Sequence, residues 1–208
     1  MTEIVMVRHG ETELNREGIF RGRLDVALND RGRSQAERAA AALADSPLAA
    51  VYSSPLRRAL DTARPIAARH GLSPVADPAL DNIDLGAWQG RKKTEVERDE
   101  PDLWRLWIHA PERLAIPGGE TLAAVRDRAV ARTRELSNLH EGGRFAIVSH
   151  RSVLKLVTGA LLGLNVDAFW RFYLDNAAYS VIGRSDGVYT LLRWNENCHL
   201  DERVIEER

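Results

Sequence analysis

Residues 4–12 read Ile4-Val5-Met6-Val7-Arg8-His9-Gly10-Glu11-Thr12. Four apolar residues ahead of a polar, glycine-containing turn predict a short buried strand that delivers an arginine and a histidine at its end. The arrangement recurs where Phe145-Ala146-Ile147-Val148 leads into Ser149-His150, and Val51-Tyr52 forms a third short run. Open α/β sheets bind ligands just beyond the carboxyl ends of their strands. Two imidazoles and an arginine brought to such an edge can share one pocket although they are far apart in sequence. Either histidine alone carries little weight, since a strand-end histidine is often just a satisfied polar residue. The third strand adds Ser53-Ser54-Pro55-Leu56-Arg57-Arg58-Ala59. It places two arginines in a first helical turn, where backbone N–H groups and guanidinium forks favour phosphate. The chemistry points to an anion.

Strands and helices alternate around these points. Asp30 is the expected N-cap of a helix that ends near Pro47. A second helix is expected from Ser54-Pro55, with a kink or break after Arg64 caused by Pro65. A third runs from about 121 to 140 with Leu122, Val125, Ala129, Leu136 and Leu139 inward, and strand 144–149 and helix 151–163 follow. The tail reads as a hairpin turning at Asp186-Gly187. Residues 81–117 are charge-rich and carry Trp88, Trp104 and Trp107. They read as an excursion from the sheet, partly helical at 92–109, that covers the active face. The expected fold is α/β: a three-layer sandwich with a mostly parallel central sheet, helices on both faces and a C-terminal hairpin.

With 208 residues the chain suits one domain, 1–208, long enough to bury a sizeable core. A net charge of −1 provides no global field for nucleic acid or an anionic membrane, so neither is an expected partner. The single cysteine, Cys198, excludes an internal disulfide and a cysteine-based zinc cluster. No signal peptide or membrane-length apolar run is read, and a cytoplasmic location is expected. Gly183-Arg184-Ser185-Asp186-Gly187 matches the G-x-S-x-G pattern, but it lies in a hairpin rather than a strand–helix elbow. Neither common glycine-rich nucleotide loop is present, and Cys198-His199 lacks partners at metal spacing.

The sequence resembles the histidine phosphatase (phosphoglycerate mutase-like) superfamily. Val7-Arg8-His9-Gly10-Glu11-Thr12, with Asn15, Gly22 and Asp25, is similar to its opening signature. Ser54-Pro55-Leu56-Arg57-Arg58-Ala59, Leu85-Gly86-Ala87-Trp88-Gln89-Gly90, Pro117-Gly118-Gly119-Glu120-Thr121 and Val148-Ser149-His150 resemble the later motifs, in the family's order. The resemblance implies that His9 becomes phosphohistidine and that Arg8, Arg58 and His150 grip the phosphoryl group, with no metal or other cofactor. It places Asn15 and Gly22 in the same pocket, with Asp84 and Glu120 completing the expected substrate-binding set. For His9 to attack as neutral imidazole, its other ring nitrogen should donate to a backbone carbonyl.

The chain also departs from the family pattern. Asn82 stands where the family's general-acid glutamate is usual, flanked by Asp81 and Asp84, of which Asp84 is the expected reserve donor. Arg21 replaces a usual glutamine or threonine, either to meet a further anionic group or as a surface arginine. Arg151 replaces a frequent glycine after the second histidine. The resemblance implies a phosphomonoester hydrolase for a small phosphorylated metabolite. A cofactor-dependent phosphoglycerate mutase and a phosphate-binding regulatory protein are the alternatives, and the oligomeric state is left open.

Overall fold

A computed structural model describes residues 1–200. Six strands, β1 (Thr2–Arg8), β2 (Val51–Ser53), β3 (Val75–Ala76), β4 (Arg144–Ser149), β5 (Tyr179–Ser185) and β6 (Val188–Glu196), form one sheet in the order β3-β2-β4-β1-β5-β6. The first four are parallel to one another, whereas β5 is antiparallel to β1 and to β6. Crossover connections carry α1 (Glu13–Arg16), α2 (Asp30–Leu43), α3 (Arg57–Ala68), α4 (Lys93–Asp99), α5 (Pro101–His109), α6 (Leu122–Leu139) and α7 (Arg151–Leu161).

The two-residue alternation of a strand divides the core. Val5 and Val7 of β1, with Ala146 and Val148 of β4, pack against Ala40 and Leu43 of α2 and Ala59, Ala63 and Ile66 of α3. Ile4, Met6, Phe145 and Ile147 face the other way, onto Val125, Ala129 and Leu136 of α6 and Val153, Leu154 and Val157 of α7. The excursion joins this second face through Trp88, Val96 and Trp107. Because both faces are covered, β1 and β4 are apolar on consecutive positions, which is why they read as unbroken runs.

Several boundaries differ from the sequence reading for identifiable reasons. Asn29, not Asp30, caps α2, its side chain accepting from Gly32 N at 2.8 Å. Pro55 lies outside α3, whose cap residue is Leu56. Pro65 does not break that helix: it sits in the last turn, where only one ladder bond is forfeited. The excursion helix is two helices, because Pro101 begins α5 and cannot continue α4. Leu139 is exposed rather than inward, as the last residue of α6. Strand β3 has only two residues, both exposed, too few to show an alternation. The hairpin turns at Asp186 and Gly187, both with positive φ, as expected for this tight connection.

One close approach ties the His9 loop to its neighbour helix. A Cβ on Gly32, in the first turn of α2, would overlap the Glu11 carbonyl oxygen, and one on Gly10 would strike the Gly32 carbonyl. Backbone lies against backbone here, so no side chain can yield. Gly32→Ala is expected to destabilise by about 1–3 kcal/mol as an overpacking change. At ~2–4 °C per kcal/mol for a chain of this size, thermal unfolding should show a clear drop in Tm, and an unchanged Tm would contradict the packing described.

Candidate active site

The carboxyl ends of β1, β2 and β4 converge. Register pairs Arg8 with Ser149, so His9 and His150 leave adjacent strands side by side, and His9 N donates to Ser149 O at 2.9 Å. Their ring centroids are 5.1 Å apart. Both side chains are buried, as are Arg8 and Arg58.

The loop after β1 is pinned from two helices. Gly10 N donates to Thr62 Oγ1 at 3.0 Å, and Glu11 N to Gln35 Oε1 at 2.9 Å. From the sheet side, Asn176 Nδ2 donates to His9 O at 3.0 Å, and Ala177 N to Arg8 O at 3.0 Å. His9 Nδ1 lies 2.7 Å from Gly10 O, so it carries the ring proton and Nε2 holds a lone pair. The tautomer expected of a nucleophilic imidazole is in place.

Backbone carbonyls accept from both arginines. Arg8 Nη1 donates to Leu174 O at 2.7 Å. Arg58 donates to Leu24 O at 2.7 Å and Gly22 O at 2.9 Å. A carbonyl acceptor orients a cation without cancelling its charge, and Asp81 and Asp25 favour the charged form of Arg58 electrostatically. Burial, and then the like charge of Arg21, pulls Arg58 down to about 9, still a cation near neutrality. Burial and then Arg58, Arg8 and Arg21 hold His9 well below its ordinary value, against the Gly10 hydrogen bond. His150 is lowered in the same way, by burial first and then by Arg58, His9, Arg21 and Arg8. The N-terminus of α7, which starts at Arg151, adds its positive end.

A cleft of about 470 Å³, partly open to solvent, is lined by Arg8, His9, Arg21, Gly22, Asn82 and His150. Ile19, Phe20, Ile83, Leu85 and Trp107 form apolar wall, and Lys93 and Arg151 add further cations. Arg57, by contrast, is exposed and sits 3.7 Å from Asp61, so only the second arginine of the pair belongs to the buried cluster.

The carbonyl of Gly22 joins two parts of the site, accepting from Arg58 and from Asn82 Nδ2 at 2.9 Å. Its φ of +48° favours glycine. The Asn82 amide is thereby oriented, with Oδ1 left as a buried acceptor that has no partner among the described residues.

Four residues expected to contact substrate are not found in the cleft lining: Arg58 is fully buried, its guanidinium donating to Gly22, which does line the cleft, and Asn15, Asp84 and Glu120 are engaged elsewhere. Asn15 is turned to its own helix, its Oδ1 accepting from Thr12 N at 3.1 Å and Thr12 Oγ1 at 2.8 Å. Asp84 Oδ1 accepts from Gly86 N at 2.9 Å, capping the turn before Trp88. Glu120 is engaged by Arg128, by Arg23 and by Asp84 N, ties that hold the Pro117–Thr121 loop, and these lower its carboxyl pKa against the opposing effect of burial. Sequence reading also passed over Ser54 and Asp81. Ser54 Oγ donates to Asp81 Oδ1 at 3.1 Å and lies 2.8 Å from His150 Nε2. Ser54 was visible at a strand end beside the arginines, but nothing local connects it to His150. Lys93 carried no signal.

A family model of the histidine phosphatase superfamily (branch 1) matches residues 4–197. The chain belongs to this superfamily. Phosphoserine phosphatase 1 of Hydrogenobacter thermophilus is 36% identical over 99% of this chain and 98% of its own. The fold of Bacillus stearothermophilus YhfR superimposes with a TM-score of 0.92 at 29% identity, covering 97% of this chain and 100% of that one. A mycobacterial glucosyl-3-phosphoglycerate phosphatase in complex with VO3 gives 0.88 at 30% identity, over 94% and 99%. Among the described residues no helix is long and apolar enough to cross a membrane.

The neutral histidines give the fold a pH signature. An unfolded chain protonates these imidazoles near 6.5, while the folded chain resists until far lower pH. Below about 6.5 the unfolded state therefore binds more protons, and stability falls as pH decreases. Each histidine contributes up to about 1.4 kcal/mol per pH unit in that window. Urea unfolding at pH 7.5 and 5.5 should show this loss, and His150→Gln should reduce it; an equal slope in that variant would contradict the buried neutral state.

Proposed function

We propose that this protein is a phosphomonoesterase for a small phosphorylated metabolite, with His9 as nucleophile. The observation that carries the reading is the His9 tautomer: Nδ1–H is committed to Gly10 O, and Nε2 keeps its lone pair in a cleft ringed by cations. A phosphoryl group is dianionic or nearly so, and its transfer is catalysed chiefly by positioning and charge stabilisation. Arg8 and Arg58 supply that charge. His150 and the start of α7 border the same space, and Asn82 Oδ1 can accept from a substrate hydroxyl or from the attacking water. The wall supports a substrate with a second anionic group: Arg21, Lys93 and Arg151 border the cleft beside Leu85 and Trp107. A phosphorylated hydroxy or amino acid has this character, and the phosphatase names among the relatives agree with it. The excursion supplies Lys93 and Trp107 to the cleft, consistent with a partial cover within one domain. The partly open cleft supports hydrolysis over mutase transfer, since water can reach a phosphoenzyme.

Alkaline quenching during turnover of p-nitrophenyl phosphate should trap an acid-labile phosphohistidine that is absent from His9→Ala. Turnover by the alanine variant at the wild-type rate would overturn the mechanism. Arg58→Ala should lower kcat/KM by roughly 10²–10³, the size of a lost charge-stabilising donor, while Arg57→Ala changes it little. Equal losses from the two variants would refute the assignment. With 3-phosphoglycerate and catalytic 2,3-bisphosphoglycerate, phosphate release should outrun isomerisation in a coupled assay; the reverse outcome would make mutase the better description.

A further inference from the structure

Asn82 leaves the phosphatase reading without a proton donor for a basic leaving group, because an amide cannot serve as a general acid. Asp84 does not replace it, since its carboxylate caps Gly86 N instead of bordering the cleft. The groups behind His150 offer another source. The Asp81 carboxylate can only accept, so the Ser54 hydroxyl proton at 3.1 Å is directed to it. Ser54 Oγ must then accept from His150 Nε2–H at 2.8 Å. The Asp81 oxygen itself lies 4.0 Å from that nitrogen. With Nε2 assigned as donor, Nδ1 is the remaining ring nitrogen of a side chain that lines the cleft, and it has no hydrogen-bond partner among the described residues although buried.

We infer that His150 is the catalytic proton donor of this enzyme, with Ser54 and Asp81 as positioning residues that hold its tautomer and support its charged form. The inference rests on the phosphohistidine reading above. Burial, and then Arg58, His9, Arg21 and Arg8, disfavour charge on His150 in the free protein, while the Ser54 hydroxyl links its ring to the Asp81 carboxylate. Arrival of an anionic phosphoryl group removes much of the positive field, and the imidazole can then hold a second proton.

The proton balance closes without another reagent. A monoester monoanion passes its phosphoryl proton to His150 Nδ1. His9 Nε2 bonds to phosphorus as the P–O ester bond breaks, its electron pair leaving with the oxygen. Nδ1–H gives its proton to that oxygen, which departs as an alcohol. In the second half, water bonds to phosphorus while one of its protons goes to Nδ1, and the P–N bond breaks with its pair returning to His9. The proton on Nδ1 then leaves with phosphate. Ser54 and Asp81 keep their protonation states throughout.

The test compares leaving groups. An aryl oxide departs without protonation, whereas an alkoxide needs it, and acid assistance typically contributes ~10²–10⁴ in rate. Asp81→Asn and Ser54→Ala should each lower kcat for an alkyl phosphate such as 3-phosphoglycerate by on the order of 10². Their kcat for p-nitrophenyl phosphate should stay within a few-fold of wild type, and the double variant should be no worse than the more damaged single one. The basic limb of the alkyl kcat–pH profile should move to lower pH in Asp81→Asn, since the charged imidazole loses its anionic support. Equal losses with both esters would mark the two residues as merely structural, and unchanged alkyl turnover would remove His150 as the donor through this pair; either overturns the inference. Phosphohistidine trapped from the aryl ester in wild type and both variants separates this outcome from failure of the underlying mechanism, because its absence in wild type would reject both.

Discussion

The parallel pairing of β1 with β4 is the constraint on which the site depends. Arg8 lies opposite Ser149, and a single backbone bond, His9 N to Ser149 O at 2.9 Å, continues the ladder to the point where the histidines diverge. A one-residue slip would turn every β1 side chain to the opposite face, exchanging Val5 and Val7 with Ile4 and Met6 between two differently shaped cores. The register is therefore specified by packing on both faces, and the 5.1 Å separation of the two rings inherits that precision. Packing and catalytic geometry are one problem here.

A second consequence is electrostatic. Three arginines and a helix N-terminus gather around two imidazoles, and the carbonyl oxygens of Leu174, Gly22 and Leu24 accept from Arg8 and Arg58. A carbonyl acceptor leaves the charge of its arginine in place. The carboxylates nearby are employed at one remove: Asp81 behind Ser54, Glu120 on Arg128 and Arg23. The cluster stays cationic while its histidines stay neutral, and neutrality is what leaves a lone pair on His9 Nε2.

Asp81, Asn82 and Asp84 show how little residue type alone says about role. They are nearly consecutive, yet one reaches the hydroxyl behind His150, one turns its amide onto Gly22, and one caps the following turn. Reading Asp84 and Glu120 as substrate contacts followed from their place in motifs, but backbone amides of the tight loop at 84–86 claim both carboxylates, Gly86 N that of Asp84 and Asp84 N that of Glu120.

The sequence by itself determined the α/β class, the order of its elements and the hairpin, and it marked His9, His150, Arg8 and Arg58 as candidates, because apolar periodicity and turn chemistry are local and a strand end is visible where the period breaks. It also resolved Arg58 from Arg57, through the motif, before burial did so. Tertiary structure decided which strands are neighbours, that Pro65 could remain within a helix, and that Asn15 points to Thr12 instead of the cleft. It alone joined Ser54 to Asp81, 27 residues away, and to His150, 96 residues away. Such links depend on side-chain directions set by loops that pack from different elements, and no periodicity along the chain encodes them.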